Sequence, residues 1–370
     1  MTERARVAMT LEQCWHRVPG GTAVAAIGMA KALRDRDVVD PVGVAARHRH
    51  PAPSHWVPPI RVEQLPLPRL ALYESWHRLR RPRVESATGP VDVIHATTLA
   101  IAPRTAPLVV TVHDLAFIHE PTHFTKRGLT FFDRGLNLAR DEADLIHCPS
   151  QATADDCIAN GFDRAKVRVI PLGVEAMSPS AEEINEVKAE WALDEQPYVM
   201  WSGTKEPRKN LRRLLEAWRI ADRKDERLVL VGPAGWGDEL AAERRAAGQV
   251  MSISFVDLST LRALYAGASA FCWPSIREGF GFPVLEAMAE GCPVITSRGT
   301  STEEIVGDAG ILVDPLDPGE IAAALNEVLD DPARRSDLAE RGRQRAARYT
   351  WERTGELLED VYLSGIEVAA

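Results

Sequence analysis

The chain has 370 residues, of which 45% are hydrophobic and 26% charged, which is typical of a globular protein large enough for two domains. Its net charge of −9 argues against a basic nucleic-acid-binding protein, and no apolar run reaches the roughly 20 residues that a membrane span needs. The N-terminus lacks the apolar core of a signal peptide, and the five scattered cysteines form no C-x-x-C pair. These features predict a cytoplasmic protein without disulfides or a zinc site.

The charge is distributed unevenly along the chain. Residues 1–175 contain 22 Lys and Arg against 19 Asp and Glu, which gives +3, whereas the remainder contains 22 against 34, which gives −12. All ten histidines lie in the first 147 residues. The two parts therefore have different surfaces, which favours two domains with different partners.

Short apolar runs alternate with longer amphipathic segments. Helical patterns such as 23–36 and 211–224 separate many of these runs. Nearly continuous apolar runs are typical of strands buried on both faces of a parallel sheet, so the pattern predicts an α/β protein with two doubly wound domains. Predicted strands occupy residues 5–10, 91–96, 108–114, 144–150, 166–173, 198–203, 227–233, 253–256, 270–275 and 293–297.

Pro171 and Gly173, with the Pro- and Ser-containing run that follows them, are typical of a connection between domains. We therefore expect an N-terminal domain over residues 1–172 and a C-terminal domain over residues 173–349. Ligands of doubly wound sheets bind outside the carboxyl ends of the strands. The residues just after the predicted strands are therefore the candidates for a functional site.

One such stretch, SIREGFGFPVLEAMAEGCPV (275–294), carries Glu278 and Glu286 eight positions apart. Pro283 suits the first position of a helix, and Gly291 suits its end, because glycine adopts the left-handed conformation easily. Glu278 is therefore predicted in a strand-to-helix loop and Glu286 in the first turn of a short helix.

The chemistry of this loop indicates a nucleotide-sugar ligand. Gly279 and Gly281 let the backbone approach a ligand closely, and the free N–H groups at a helix start favour an anion such as phosphate. An ionised Glu286 accepts hydrogen bonds from a pair of sugar hydroxyls, and Glu278 from those of a second sugar. The alternative is that a glutamate near the helix start only complements the helix dipole.

The segment EGFGFPVLEAMAEGCPVITS resembles the E-x7-E signature of the retaining glycosyltransferases of family four. Their GT-B fold has two Rossmann-like domains that face each other across a cleft. The likeness covers the C-terminal half nearly throughout and the N-terminal half in islands. Similar segments are residues 111–121 (TVHDLAFIHEP), 169–174 (VIPLGV), 202–218 (SGTKEPRKNLRRLLEAW), 228–236 (LVLVGPAGW) and 261–315.

The resemblance implies roles in donor binding. Glu278 is expected to contact the transferred sugar and Glu286 the ribose, while Arg208 and Lys209 neutralise the diphosphate as it leaves. Two cations at a solvated helix start are the alternative for Arg208 and Lys209. The neighbouring loop residues are expected to line the donor, most of them with their backbone: Gly203, Thr204, Gly279, Phe280, Gly281, Val284 and Leu285.

The phosphate-binding segment departs from the family pattern at one position. Many relatives have an arginine directly after the glycine, whereas this chain has Thr204. One hypothesis is that Arg208 supplies the missing charge.

In the N-terminal half, His113 closes the predicted strand 108–114, and the resemblance implies that it faces the sugar near the reacting carbon. His113, Arg208, Lys209 and Glu278 are thus the candidate catalytic residues. Asp114 is interpreted as a loop brace beside the acceptor. His113, His119 and His123 also suggest a metal cluster, but no further ligand spacing supports it, and GT-B enzymes generally need no metal.

Gly20 and Gly21 follow the first strand and open a long helix. The family carries a similar pair, which implies acceptor binding and, for Gly21, donor contact. The signal is weak alone, because any tight loop can use two glycines.

Residues 68–83 (PRLALYESWHRLRRPR) place apolar side chains at helical spacing and crowd arginines at one end. One interpretation is a basic amphipathic helix that rests on an anionic membrane or binds a lipid-phosphate acceptor. The preferred interpretation is that its apolar face packs on the acceptor domain. That face comprises Leu72, Tyr73, Trp76 and Leu79, and the arginines are Arg78, Arg80, Arg81 and Arg83.

The resemblance implies transfer of a hexose from a nucleoside-diphosphate sugar to a hydroxyl of a saccharide, glycolipid or small molecule, without a metal cofactor. GDP-mannose is the first candidate donor, since EPRKNL and PAGW resemble mannosyltransferase-like members; UDP- and dTDP-sugars stay open. A final helix over 350–370 is expected to return to the N-terminal domain. The enzyme is expected in the cytoplasm, in solution or peripheral on the inner face of the membrane. The alternatives are a GT-B epimerase or hydrolase and a non-catalytic two-lobed sugar-binding protein.

Overall fold

The computed structural model describes residues 4–17, 19–194, 196–233 and 250–369. The chain divides into two compact units. The first comprises Met1–Gly173 and Tyr349–Ala370, and the second comprises Val174–Arg348. Each unit is built on its own sheet of parallel strands.

The first unit contains a seven-stranded sheet in the order β3-β2-β1-β4-β5-β6-β7. Its strands are β1 Arg6–Thr10, β2 Asp40–Ala45, β3 Val62–Gln64, β4 Val93–Ala96, β5 Leu108–Thr111, β6 Leu145–Cys148 and β7 Val167–Val169. Its α-helices are Gly20–Arg36, Arg69–Leu79, Glu85–Thr88, Ala116–His119, Lys126–Glu142, Gln151–Ala159 and Trp351–Ala369.

The second unit contains a six-stranded sheet in the order β10-β9-β8-β11-β12-β13. Its strands are β8 Tyr198–Ser202, β9 Arg227–Val231, β10 Val250–Ile253, β11 Ala270–Trp273, β12 Val294–Ser297 and β13 Ile311–Val313. Its described α-helices are Ala181–Glu190, Leu211–Ala221, Leu258–Gly267, Phe282–Ala289, Ser301–Val306, Pro318–Asp330 and Pro332–Ala346.

The strand order reverses once in each sheet, beside β1 and β4 in the first and beside β8 and β11 in the second. Crevices at such switch points, outside the carboxyl ends of the strands, are the usual ligand sites of doubly wound sheets. The predicted α/β class with two doubly wound sheets is confirmed. The two loops that follow β8 and β11 carry most of the predicted site residues.

Three strands were missed and one was misplaced. The strand Asp40–Ala45 was missed because it begins with Asp-Pro and contains a glycine, and these three residue types are depleted in strands. The strands Val62–Gln64 and Ile311–Val313 were missed because three residues are too few to show a period. The predicted strand 253–256 is wrong, because the strand is Val250–Ile253. The apolar pattern continues past its end to Phe255, which is exposed.

The C-terminal helix Trp351–Ala369 packs in the first unit against the helix Gly20–Arg36. Gly28 makes room for the Trp351 indole, since a Cβ on Gly28 would lie 2.3 Å from it. An ion pair between Arg36 and Glu359, at 2.9 Å, joins the same two helices.

The helix Arg69–Leu79 buries Leu72 and Trp76 in the core of the first unit, which agrees with the packing interpretation. Leu79 does not share that face: it is 71% exposed, because the helix ends there and Arg80 turns into the left-handed conformation. Arg80 is not a solvated arginine, since its guanidinium donates to backbone carbonyls and pairs with Glu142. Within the described ranges, no helix has the length and apolar character needed to cross a membrane.

Candidate active site

The loop after β8 forms a close-packed turn around Lys209. Gly203 follows the strand with φ +136°, and a Cβ at this position would lie 2.6 Å from Lys209 Nζ. Pro207–Lys209 forms a single 3-10 turn, and Asn210 then takes the left-handed conformation. The buried Asn210 amide donates to the carbonyls of Pro274 and Pro315, at 2.9 and 2.6 Å. These hydrogen bonds tie the loop after β8 to the residues that follow β11 and β13.

Lys209 Nζ lies 5.5 Å from the centroid of the Trp273 ring, within the range of a cation–π contact. Burial lowers the pKa of Lys209, the Arg208 guanidinium lowers it further, and Glu278 and Glu206 act in the opposite direction. In the part of the chain that the structure describes, no carboxylate or hydrogen-bond acceptor contacts Nζ. An anion bound at this position would stabilise the charged form of Lys209, which desolvation disfavours.

Arg208 connects the two strand-end loops. Its side chain pairs with Glu206 at 3.1 Å and with Glu278 at 2.8 Å. Its carbonyl accepts hydrogen bonds from the Ile276 N–H at 2.8 Å and from the Ser275 hydroxyl at 3.0 Å. The predicted residues Arg208 and Glu278 are therefore brought together, as partners of each other.

Glu278 lies in the loop between β11 and the helix Phe282–Ala289, as predicted. The Ser275 hydroxyl donates to Glu278 Oε1 at 2.8 Å, so this oxygen serves both Ser275 and Arg208. Ser301, at the start of a later helix, donates to the carbonyls of Glu278 and Phe280 at 2.8 and 2.9 Å. The loop conformation is thus fixed by two serines that the sequence analysis did not single out.

The glycine-rich loop ends at Gly281, which precedes the helix Phe282–Ala289 with φ +113°. A Cβ on Gly281 would lie 2.7 Å from Thr302 Cγ2, so the helix start needs glycine for both conformation and space. The N–H groups of Val284 and Leu285 donate to the Gly281 carbonyl, at 3.0 and 3.2 Å. These two amides are used within the helix, so they are not the free N–H donors that were expected at its start.

Phe280 is buried and packs edge-to-face on Phe282, with 5.2 Å between the ring centroids. Gly279 lies between Glu278 and this aromatic pair. Thr204 is half-buried, and its carbonyl accepts the N–H of Glu206 at 2.8 Å. Thr204 thus contributes a turn, and the charge near it belongs to Arg208 and the buried Lys205.

Glu286 is the fifth residue of its helix and lies in the second turn, so the predicted first-turn position is wrong. The helix begins one residue earlier than Pro283 suggested, because Gly281 already turns the chain into it. Glu286 faces the neighbouring helix Leu258–Gly267, where Arg262 Nη2 lies 3.3 Å from Oε1.

Burial raises the pKa of Glu286, Arg262 opposes this rise, Glu290 adds to it, and a hydrogen bond with Tyr265 opposes it. Tyr265 is buried and shares a 2.6 Å hydrogen bond with Ser202 at the end of β8. Neither Arg262 nor Tyr265 was predicted as a site residue. The only sequence signal for them was the apolar helix pattern in LRALYAGA, which indicates burial but not its partners.

In the first unit, the helix Gly20–Arg36 begins on the predicted glycine pair, three residues before the predicted start. Gly20 has φ +63° with no atom within 4 Å of a Cβ, and both Gly20 and Gly21 are exposed. The pair therefore leaves the backbone at this helix start accessible.

His113 and Asp114 lie two and three residues beyond β5, which ends at Thr111 rather than at residue 114. His113 Nε2 donates to the Thr97 carbonyl at 3.0 Å, which leaves Nδ1 as the acceptor of the neutral ring. Burial lowers the pKa of His113, although this hydrogen bond and Asp114 oppose the shift. Asp114 Oδ1 accepts the Ala116 N–H at 3.0 Å, which is the expected loop brace.

A second polar feature of the first unit was not predicted. Two buried histidines, His95 and His147, are linked through Thr111, with His95 2.7 Å and His147 2.9 Å from its hydroxyl. The chain of hydrogen bonds runs from Tyr362 on the C-terminal helix to the Ile170 carbonyl. With both imidazole rings neutral, each group donates one hydrogen bond to the next, from the Tyr362 hydroxyl to the Ile170 carbonyl. Protonation of either ring would reverse the direction of one of these hydrogen bonds.

The suspected metal cluster does not form. His119 pairs with Asp156 at 2.8 Å, and His113 is hydrogen-bonded to the Thr97 carbonyl. Across the described ranges, no group of three or more His, Cys, Asp or Glu side chains is arranged to hold a metal ion. Ala234–Trp236, which completes the PAGW segment, lies outside the described residues.

Comparison with known proteins extends over most of the chain. Residues 183–345 match the family described as glycosyl transferases group 1, and residues 19–177 match glycosyltransferase family 4. The O-antigen chain mannosyltransferase B of Escherichia coli is 32% identical over 270 residues, which cover 70% of this chain and 71% of that protein. The chain belongs to glycosyltransferase family four. It is therefore a retaining glycosyltransferase that takes its sugar from a nucleotide-sugar donor.

A second mannosyltransferase is also similar to this family-four enzyme. The MMP α-(1→4)-mannosyltransferase of Mycolicibacterium hassiacum is 29% identical over 315 residues, covering 78% of this chain and 74% of that protein. Among solved structures, Anabaena HepE in complex with UDP and glucose superimposes with a TM-score of 0.76 at 21% identity. That match covers 98% of this chain and 100% of that chain, and it confirms the GT-B fold.

Proposed function

We propose that the enzyme transfers a hexose without a metal cofactor, binding the nucleotide-sugar with its second unit (174–348) and the acceptor hydroxyl with its first (1–173 and 349–370). The observation that carries the donor assignment is the grouping of Arg208, Lys209 and Glu278 at the β8/β11 switch point. There the half-buried Lys209, whose pKa is lowered by desolvation and by Arg208, lies beside an Arg–Glu pair. Cations held at a helix start and out of water are suited to a diphosphate.

The cations have distinct proposed roles. Lys209 binds the diphosphate directly, because its ammonium lies over the Trp273 ring and, within the described ranges, pairs with no carboxylate. Arg208 stands in for the arginine that many relatives carry at the position of Thr204. Because Arg208 also pairs with Glu278, it positions that carboxylate towards the hydroxyls of the transferred sugar while it adds positive charge near the phosphates.

The glycine-rich loop and Glu286 bind the remainder of the donor. The backbone at Gly203, Gly279, Phe280 and Gly281 approaches the sugar and phosphates, and the Val284–Leu285 turn lies below the ribose. Glu286, 13% exposed at its side chain, accepts the ribose hydroxyls. An ionised carboxylate is the better acceptor for two hydroxyls, so the contact with Arg262 favours this role.

The proposed chemistry is transfer on one face of the sugar. The bond between the anomeric carbon and the diphosphate oxygen stretches, and its electron pair leaves with the phosphate. Lys209 and Arg208 stabilise the charge on that leaving group. The acceptor oxygen then bonds to the same face of the carbon, and its proton passes to the departing phosphate oxygen. His113 faces the sugar at this carbon, and Gly20 and Gly21 lie beside the acceptor and the donor phosphates.

The donor proposed first is GDP-mannose. Two of the relatives named above are mannosyltransferases, and EPRKNL is the segment that carries the cations here. Another relative at 31% identity is the D-inositol 3-phosphate glycosyltransferase of Salinispora arenicola. The acceptor class proposed is therefore broad: a hydroxyl of a saccharide, a glycolipid or a small polar molecule.

The first experiment measures the melting temperature of the purified protein with GDP, UDP, dTDP or ADP at millimolar concentration. A ligand that binds only the native state stabilises it by about 2.7 kcal/mol at a hundredfold excess over its Kd, so one nucleotide should give a clear rise. No rise with any of the four would contradict the donor site.

The sugar nucleotides of the base that binds are then incubated with the enzyme without acceptor, with and without EDTA. Slow hydrolysis and no isomerised sugar are expected, unchanged by the chelator. Complete turnover to an epimer would replace the transferase proposal with an epimerase.

A further inference from the structure

We infer that Arg262 is a positioning residue for donor binding: it holds Glu286 in the orientation that directs its carboxylate towards the ribose hydroxyls. Arg262 itself contacts no donor atom in this proposal. The inference rests on the proposed contact between Glu286 and the ribose, and it adds a residue that the E-x7-E signature does not contain.

The geometry is that of a buried arginine between two carboxylates. Arg262 is 5% exposed and lies on the helix Leu258–Gly267, which packs against Phe282–Ala289. Its Nη2 is 3.3 Å from Glu286 Oε1, and its Nη1 is 3.4 Å from the Glu286 carbonyl and 3.6 Å from Glu290 Oε1. The guanidinium therefore holds both the side chain and the backbone of Glu286.

The two carboxylates differ in what else they bind. Glu290 is fully buried at its side chain, and its two oxygens accept the N–H groups of Met177 and Ser178 at 2.9 and 3.0 Å. Ser178 has φ +48°, an unusual conformation for a serine, so Glu290 anchors a specific turn at the start of the second unit. The backbone donors and Arg262 together satisfy Glu290.

Glu286, in contrast, keeps capacity for a ligand. Its side chain is 13% exposed, and its hydrogen-bonding partners are Arg262 and the Tyr265 hydroxyl. The triad of one arginine and two glutamates carries a net charge of −1, which suits hydroxyl donors rather than a second anion. Burial and the nearby Glu290 both favour the protonated form of Glu286, and Arg262 is the cation that opposes them. Without Arg262, the carboxylate would lose both its direction and its charge.

The test compares the affinity for ribonucleotides and their 2′-deoxy forms, because only a ribose contact distinguishes them. GDP against 2′-deoxy-GDP, and UDP against 2′-deoxy-UDP, are titrated calorimetrically into the wild-type protein and the Arg262→Met variant at pH 7.5. We expect the wild type to bind the ribonucleotide about tenfold more tightly. The variant should reduce this preference to less than about threefold, chiefly through weaker ribonucleotide binding.

The Arg262→Lys variant restores a cation and should recover part of the preference. Arg223→Met is the matched control: Arg223 pairs with Glu226 and Asp330 in the same unit, away from the loops after β8 and β11, and its loss should leave the preference unchanged. If Arg262→Met does not fold, as judged by circular dichroism, Arg262→Gln takes its place in the same titrations.

The outcomes separate the inference from the function on which it rests. A folded Arg262→Met or Arg262→Gln variant that keeps the full ribose preference overturns the inference and leaves the proposed function intact. A wild-type protein that binds a nucleotide without ribose preference overturns the Glu286 assignment and the inference together. A wild-type protein that binds none of GDP, UDP, dTDP and ADP overturns the donor site itself.

Discussion

The two sheets share the strand order 3-2-1-4-5-6, which the first extends by a seventh strand, but the two units bury different kinds of polar group. The first unit buries neutral histidines, among them His95 and His147, and its residues 1–173 and 349–370 carry no net charge, with 23 Lys and Arg against 23 Asp and Glu. The second contains no histidine and instead buries charged groups, among them Lys205, Arg262 and Glu290, and it half-buries Lys209. The interior of the first unit therefore depends on neutral imidazole rings, whereas the candidate site of the second depends on charged side chains. The two units should consequently respond differently to substitution and to pH.

The largest effect is expected from removing the charge that most clearly distinguishes the second unit. Lys209→Met should lower kcat/KM by at least 100-fold, because a cation that stabilises the leaving diphosphate contributes about 3 kcal/mol or more to the transition state. The fold should survive, since removal of a buried charge relieves its desolvation cost. The matched control is Lys224→Met, whose ammonium is exposed and should not affect turnover. Turnover near the wild-type level in Lys209→Met would refute its assignment.

A smaller effect is expected at the glycine that leaves room for that lysine. In Gly203→Ala the new Cβ would lie 2.6 Å from Lys209 Nζ in a backbone conformation of φ +136°, so the ammonium must move. We expect an activity loss of about tenfold or more and a destabilisation of about 1–3 kcal/mol.

Gly299→Ala is the control for backbone strain alone, because Gly299 has φ +76° and no atom within 4 Å of its Cβ position. It should lower stability, measured by urea unfolding, without the loss of activity. Equal activity losses in both variants would show that strain, rather than the displacement of Lys209, is responsible.

The smallest and broadest effect should be acid sensitivity confined to the first unit. Burial lowers the pKa of His77 and His147 to about 4 and also lowers that of His95. Because the unfolded chain binds protons near pH 6.5 and the folded unit does not, stability is complete above pH 6.5 and falls as the pH drops below it. The expected loss is roughly 1–2 kcal/mol at pH 5 for each fully buried histidine.

Hydrogen exchange measured by mass spectrometry at pH 7.5 and pH 5, corrected for the intrinsic rate, tests this directly. Residues 145–148 in the first unit should lose protection, whereas residues 198–202 in the second should change less. His147→Gln, which keeps a hydrogen-bonding side chain but does not titrate, should reduce the difference. An equal loss in both units would show that the histidines are not its source.

Much of the fold could be predicted because its signals are local. Continuous apolar runs revealed ten strands, nine of them close to their observed positions, and the glycine–proline pattern around Gly281 and Pro283 located the helix of the candidate site. Strands of three residues, such as β3 and β13, have too little pattern to be recognised. The helix at Phe282 begins one residue earlier than predicted, which places Glu286 in the second turn, and its contact with Arg262 had no local signal.

The sequence by itself determined the α/β class, the two doubly wound sheets and the spacing of Arg208, Lys209, Glu278 and Glu286, since these depend on residues close together in the chain. Only the tertiary structure decided their partners. Arg208 pairs with Glu278 and Arg262 contacts Glu286 across separate elements, while the histidine chain joins β4 to Tyr362. Such contacts depend on which strand ends are adjacent and on which way each side chain points, and neither is contained in the periodicity of a single segment.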